Sequence, residues 1–254
     1  MNLLGLASLA IEVAGKTVCR DLTLSIHPGD RVAILGCNGV GKTTLLHTLA
    51  GLRPWSTGEI LVDNIPLSTM KRRRMARHMG ILFQSSEAAF PATVLETVLT
   101  GRHPHIPFWG RESERDYRIS MEALAAVGMD RMAERLTTTL SGGELRRVEI
   151  AALMAQAPRI MLLDEPVNHL DPPYQLSILE RLVTQSNRHR GAMLAIFHDI
   201  NLAARFCNRF LFLFGEGDWT FGDRQILTPM LLERLFHCPI TRIPHGDGHF
   251  WVLG

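Results

Sequence analysis

The sequence predicts an α/β fold. Its core is a mostly parallel sheet, with a smaller antiparallel β-subdomain at the N-terminus and a helical subdomain inserted between strands. Three observations carry this. Short apolar runs alternate with longer amphipathic stretches, the pattern of βα units. Four runs, RVAIL (31–35), GILF (80–83), IMLL (160–163) and MLAIF (193–197), are almost wholly apolar, as strands covered on both faces require. Each is followed at once by glycine or polar residues: Gly36, Gln84, Asp164–Glu165 and His198–Asp199. Ligands of open α/β sheets bind beyond the carboxyl ends of strands, so these four ends are expected to bring chemistry to one edge.

Composition permits this fold and narrows the rest. The chain has 254 residues, 46% hydrophobic and 20% charged, enough for a sizeable core. A net charge of +2 gives no bulk electrostatic argument for a nucleic-acid partner. The cysteines, Cys19, Cys37, Cys207 and Cys238, form no CxxC pair, which points away from structural zinc or a disulfide framework and fits a reducing cytoplasm. No apolar run reaches the ~18 residues of a membrane span.

Taken in order, the start MNLLGLASLAIEV is apolar but lacks a basic leader and reads as strand rather than signal peptide. The segment through GEILVDN (58–64) carries hairpin turns and is assigned to the antiparallel subdomain. Between them stands GCNGVGKTT (36–44), which matches GxxxxGK[ST] directly after a strand. The following LLHTLAG reads as helix, with Gly51 as its stop. This makes the core a P-loop NTPase core. Gly36, Cys37, Asn38, Gly39, Val40, Gly41, Lys42, Thr43 and Thr44 are expected to wrap nucleotide phosphates with backbone N–H groups. Lys42 can reach the β- and γ-phosphates, and the Thr43 hydroxyl can ligate Mg²⁺.

The run MKRRRMARH (70–78) is basic but has no interleaved aromatics, so it reads as a solvated helix face. Residues from about 91 to 157 read mostly as helices, interrupted by GRHPHIPFWG. Within them, LSGGE (140–144) places Ser141 three residues before Glu144, a capping box. Two glycines in a first helical turn are costly; close approach of an anion to bare N–H groups is one reason to keep them. IMLLDEP (160–166) ends a strand with two carboxylates. Asp164 suits Mg²⁺, and Glu165 suits orienting or deprotonating a water. His198, at another strand end, suits a γ-phosphate contact. Gln84 suits a lightly held sensor of Mg²⁺ or water. The histidines of HPH (103–105) and HGDGHF (245–250) read as polar surface, and FWG (108–110) as a loop whose aromatics either pack locally or meet a partner.

GCNGVGKTT, LSGGE, IMLLDEP, NHLD (168–171) and FHD (197–199), in this order, resemble the ATP-binding subunits of ABC transporters over nearly the whole chain. The resemblance implies one nucleotide-binding domain over 1–254 with a helical subdomain at about 91–157, hydrolysing ATP with Mg²⁺. It implies a head-to-tail pair in which Ser141, Gly142 and Gly143 face the γ-phosphate held by the partner copy's P-loop. Asp171 would lie across that interface. It further implies a place on the cytoplasmic face of the inner membrane, transmembrane permease subunits, indirectly a periplasmic or surface binding protein, and no nucleic acid. VLETVLTGRHPH (94–105) and EPVNHLDPPYQ (165–175) are similar to the branch serving iron-chelate, heme and cobalamin importers. Three positions depart from the family pattern. Leu145 follows the signature in place of Gln or Arg, and Cys37 stands where proline is common. Val13 stands where an aromatic ring usually stacks on adenine, which implies weak recognition of the base.

Rival classes fit less well. DNA-repair and chromosome-maintenance ATPases of related motif carry long coiled-coil or zinc-bearing insertions between Lys42 and Ser141, which this interval has no room for. Translation-type relatives carry two cassettes, and this chain has one. A regulatory module that binds ATP without hydrolysis does not need Glu165 and His198. A transporter of another substrate class remains open at this point.

Overall fold

A computed structural model describes residues 2–84, 91–107, 109–168, 170–245 and 248–254. The chain folds as two compact units, Met1–Thr69 with Ala192–Gly254, and Met70–Gly191.

The first unit opens with β1 (Leu4–Val13) and β2 (Lys16–Ile26), an antiparallel hairpin. Ala14 and Gly15 form its turn with φ 50° and 76°, the paired positive φ of a turn that matches strand twist. After β3 (Arg31–Leu35) and α1 (Lys42–Leu49) come β4 (Thr57–Val62) and the short β5 (Ile65–Pro66). Asp63 and Asn64, φ 48° and 62°, turn β4 into β5. The resulting antiparallel sheet runs β2-β1-β4-β5 and buries Leu4, Leu9, Ile11, Leu22, Ile26, Ile60 and Val62. The predicted N-terminal subdomain is thus present.

The chain then builds the second unit. α2 (Arg72–His78) buries none of its residues, as the basic run predicted. β6 (Met79–Leu82) pairs in parallel with β7 (Ile160–Leu163). The four residues of β7 are all buried, the expected price-free signature of a strand covered on both faces. Between these strands lie α3 (Val94–Leu99), α4 (Glu114–Ala126) and α5 (Gly142–Gln156), and after β7 comes α6 (Pro172–Arg188). Thr93, Ser113 and Ser141 each cap their helix with a reciprocal box, to Glu96, Asp116 and Glu144. Arg102 fastens the turn after α3 by donating to Asp116 (2.9 Å) and to the Ala155 carbonyl (2.7 Å). His105 lies 2.9 Å from the Gln156 carbonyl. The GRHPH stretch therefore spends Arg102 and His105 on holding the helices together.

The chain returns to the first unit with β8 (Ala192–Ile196), α7 (Ile200–Phe206), β9 (Arg209–Gly215), β10 (Asp218–Gly222), α8 (Pro229–Phe236) and the hairpin β11 (Ile240–His245) with β12 (Gly248–Leu253). Here β3 is flanked in parallel by β8 and β9, with β10 antiparallel on β9. β3 and β8 are almost wholly buried, as is the middle of β9 from Phe210 to Leu213, and Leu45, Leu46 and Leu49 of α1 are buried too. Each such leucine contributes about 1.5–3 kcal/mol. Two of the four predicted strands are shifted by one residue, β6 from GILF and β8 from MLAIF. Apolar runs mark a strand's existence better than its ends. The fold class is the predicted one.

Candidate functional site

In the first unit, the buried strand β3 ends at Leu35 and the loop 36–41 leads into α1. Gly39 and Gly41 take φ 76° and 109°, which turns the backbone without a Cβ penalty. A Cβ on Gly41 would stand 2.7 Å from both methyls of Val18. Gly41 is also the N-cap of α1, and no side chain caps that terminus. Lys42 is 7% exposed, and its ammonium donates to the carbonyls of Gly36 (2.7 Å) and Cys37 (3.0 Å). The loop is thus closed around a buried cation at an uncapped helix start, an environment for phosphate oxygens. Asn38 and Gly39 are exposed, and Val40, Thr43 and Thr44 are half-buried. Cys37 anchors the loop through its thiol, which donates to Leu235 O of α8 (3.1 Å). That answers what replaces proline there. Val13 ends β1 beside the hairpin turn, half-buried and paired with Lys16.

His198 lies two residues beyond the end of β8, after the buried Phe197, and is exposed. Asp199 caps α7, accepting from the backbone N–H of Asn201 (2.7 Å) and Leu202 (3.3 Å).

In the second unit, β7 ends at Leu163 and Asp164 is fully buried. Glu165 is 8% exposed and holds φ 48°. A non-glycine residue there costs on the order of 1–3 kcal/mol, a strain that collects at functional sites. Glu165 Oε2 accepts from the Gln84 amide (3.1 Å) and from the Asn168 amide. Gln84 itself is exposed just after β6. Asp164, Glu165 and Gln84 are therefore brought together, with Gln84 joined to the catalytic candidate.

LSGGE starts α5. The Ser141 hydroxyl accepts from Glu144 N–H (3.3 Å), and Glu144 Oε2 accepts from Ser141 N–H (2.8 Å). The Ser141 backbone N–H and its hydroxyl hold the Glu144 carboxyl below its ordinary value. Ser141 and Gly142 are exposed and Gly143 is half-buried. A Cβ on Gly142 would meet nothing within 4 Å. Packing inside this chain therefore does not require glycine at that position. Asp171 is the exposed N-cap of α6, with Pro172 at the first helical position. His169 of NHLD, Phe108 of FWG and residues 246–247 of HGDGHF lie outside the described residues. Trp109 is 92% exposed. Among the described residues, no group of three or more His, Cys, Asp or Glu could hold a metal ion.

Two residues at this site escaped the sequence reading. Asn168, three residues after Glu165, donates to its carboxylate; its place within NHLD was the available signal. Arg146 is 6% exposed and donates to the carbonyls of Asp164 (2.8 Å), Glu165 (2.9 Å), Pro166 (3.2 Å) and Phe83, and to Glu149 (3.0 Å). Nothing in a sequence separates it from its neighbour Arg147, which donates to Val127 O (3.3 Å) and lies over the Tyr174 ring.

The chain matches the family model described as ABC transporter over residues 19–168. A hemin import ATP-binding protein of Methylobacillus flagellatus is 37% identical over 246 residues, covering 94% of this chain and 90% of that protein. Its counterpart in Gloeobacter violaceus is 41% identical over 240 residues, covering 91% and 86%. A petrobactin import ATP-binding protein of Bacillus anthracis is 35% identical over 247 residues, covering 92% and 90%. Among solved structures, a transporter described as of the metal-chelate type, in an inward-facing conformation, superposes with TM-score 0.84 at 28% identity over 99% of this chain and 96% of that one. Among the described residues, no helix is long and apolar enough to cross a membrane. Motif order, strand-end chemistry and these likenesses agree: the chain belongs to the ABC transporter family, as an ATP-binding subunit whose ATP hydrolysis is coupled to transport.

Proposed function

We propose that this subunit powers import of an iron chelate, heme or cobalamin-like substrate through separate transmembrane permease subunits. Subunits named for hemin and petrobactin import match it over more than nine-tenths of its length at 35–41% identity, and this observation carries the reading. In this reading the whole chain acts as one nucleotide-binding domain with a helical subdomain at about 91–157. It works on the cytoplasmic face of the inner membrane as a head-to-tail pair, fed from outside by a binding protein.

The residue roles follow from the local geometry. The loop from Gly36 to Thr44 binds the phosphates, with Lys42 exchanging the Gly36 and Cys37 carbonyls for phosphate oxygens. Thr43 offers a hydroxyl, Gln84 an amide oxygen and Asp164 a carboxylate, each a hard oxygen donor of the kind Mg²⁺ takes. When bound, Mg²⁺ supplies charge neutralisation at the β- and γ-phosphates. Glu165 holds the attacking water and takes its proton, and the Gln84 and Asn168 amides aim its carboxylate. His198 contacts the γ-phosphate. Ser141, Gly142 and Gly143 face the partner copy's ATP, and Asp171 faces the partner across the interface. The open space at Gly142 supports this.

A strain lacking this chain should fail to grow on hemin or a ferric chelate as sole iron source, and should grow on simple iron salts. The parent gene should restore growth and Glu165→Gln should not. Normal growth of the deletion strain on every iron source would overturn the substrate class. Rescue by Glu165→Gln would remove Glu165 from its catalytic role.

A further inference from the structure

We propose that Arg146 is a positioning residue for hydrolysis: from the signature helix α5 it sets the direction of Glu165, Asp164 and Gln84. The inference rests on the reading that those three side chains act on bound nucleotide.

A guanidinium has five N–H donors in a rigid fork. Arg146 meets five acceptors. Nε donates to Pro166 O, Nη2 to Asp164 O and Glu165 O, and Nη1 to Phe83 O and the Glu149 carboxylate. Four of these are carbonyls of the peptide units that carry or adjoin the candidate residues. Fixing the carbonyls of Asp164 and Glu165 fixes the backbone from which both carboxylates project. Fixing Phe83 O fixes the peptide leading into Gln84, whose amide then meets Glu165 Oε2 at 3.1 Å. Glu165 sits at φ 48°, a conformation that persists only where its surroundings impose it. Arg146 supplies two bonds to that turn, on Glu165 O and Pro166 O. Its own charge is balanced by Glu149, with side-chain exposures of 6% and 15%.

Three segments thus meet on one side chain: α5, whose N-cap is Ser141, the end of β7 and the end of β6. Any displacement of α5 reaches the backbone of Glu165 through this one buried, fully engaged side chain. Lysine cannot substitute, because an ammonium has three donors at one point and cannot span five acceptors.

The test uses the full chain and four proteins: the parent, Arg146→Lys, the charge-balanced double variant Arg146→Met/Glu149→Gln, and Glu165→Gln. ATP affinity is read by titration, turnover by phosphate release, and folding by a cooperative thermal melt. A misplacement of about 1 Å in a catalytic group costs roughly a hundredfold. Folded Arg146 variants should therefore bind ATP within about threefold of the parent while kcat falls by about a hundredfold. A purely structural residue would lower the melting temperature and leave kcat of the folded protein unchanged. A folded variant with kcat within about threefold of the parent overturns the proposal. So does a loss confined to ATP affinity. If the double variant does not fold, Arg146→Lys, which keeps the charge and the stem, decides by the same criteria. A parent without ATP turnover, or an undiminished Glu165→Gln, would instead sink the underlying reading of the site.

Discussion

Substituting Gly41 by alanine should separate the two demands that the phosphate loop makes on one residue. The first is conformational. Gly41 holds φ 109°, well outside the range an L-residue adopts easily, and such a residue costs on the order of 1–3 kcal/mol. The second is steric. The new Cβ would stand 2.7 Å from both Val18 methyls and 3.2 Å from Val18 Cβ; overpacking of this kind costs about 1–3 kcal/mol. Val18 is 3% exposed in β2 and has little room to yield. A loop free to relax would avoid both terms by leaving its present shape, and nucleotide binding would then have to restore that shape. The conformational term alone predicts ATP affinity about 5- to 150-fold weaker. Adding Val18→Ala removes the two close methyls but not the φ requirement. The double variant should recover melting temperature, at about 2–4 °C per kcal/mol, and should keep the affinity deficit. ATP titration and thermal melts of the parent, Gly41→Ala, Val18→Ala and the pair read both terms. Unchanged affinity in Gly41→Ala, or full recovery of affinity in the pair, would refute the separation of terms.

The remaining predictions concern the signature, the base and pH. Ser141→Asp keeps an N-cap oxygen for Glu144 N–H but sets a carboxylate against a partner's phosphates. It should abolish hydrolysis while sparing nucleotide binding, and mixing with Lys42→Ala subunits should restore some turnover; verified mixed pairs with none would count against shared sites. If Val13 replaces an adenine-stacking ring, Val13→Tyr should tighten ATP by up to about 1–3 kcal/mol, and the parent should barely distinguish ATP from GTP. A parental preference for ATP above about a hundredfold would reveal an adenine contact elsewhere. Burial pushes the Asp116 carboxyl up, but hydrogen bonds from Ser113 and the Arg102 guanidinium pull it further down, to about 2. Its folded value lies below the unfolded one, so its contribution to stability is complete above the unfolded pKa and is lost as pH falls through the folded one. The urea-midpoint gap between the parent and Asp116→Asn should therefore narrow between about pH 4 and about pH 2. A gap independent of pH would rule out this linkage.

What the sequence determined by itself is whatever is written in contiguous residues. A phosphate loop needs glycines, Lys42 and Thr43 at fixed spacing after a strand, because backbone N–H groups and a helix start must converge within a few ångströms. The buried strands show because both faces of a covered sheet exclude polar side chains. The start of α5 shows because a capping box is local. Tertiary structure decided the rest. That Gly142 has open space around it, so that no neighbour in this chain accounts for its lack of a side chain, is not written in the string LSGGE. Arg102 and His105 of GRHPH turned out to hold α4 and α5. Asn168 and Gln84, 84 positions apart in the chain, converge on one oxygen of Glu165. Arg146 and Arg147 are the same residue type at adjacent positions, yet one is 6% exposed among five acceptors and the other reaches Val127 O and Tyr174. Consecutive residues of a helix point about 100° apart, so which one faces the strand ends depends on how α5 is seated, a long-range property that no local pattern encodes.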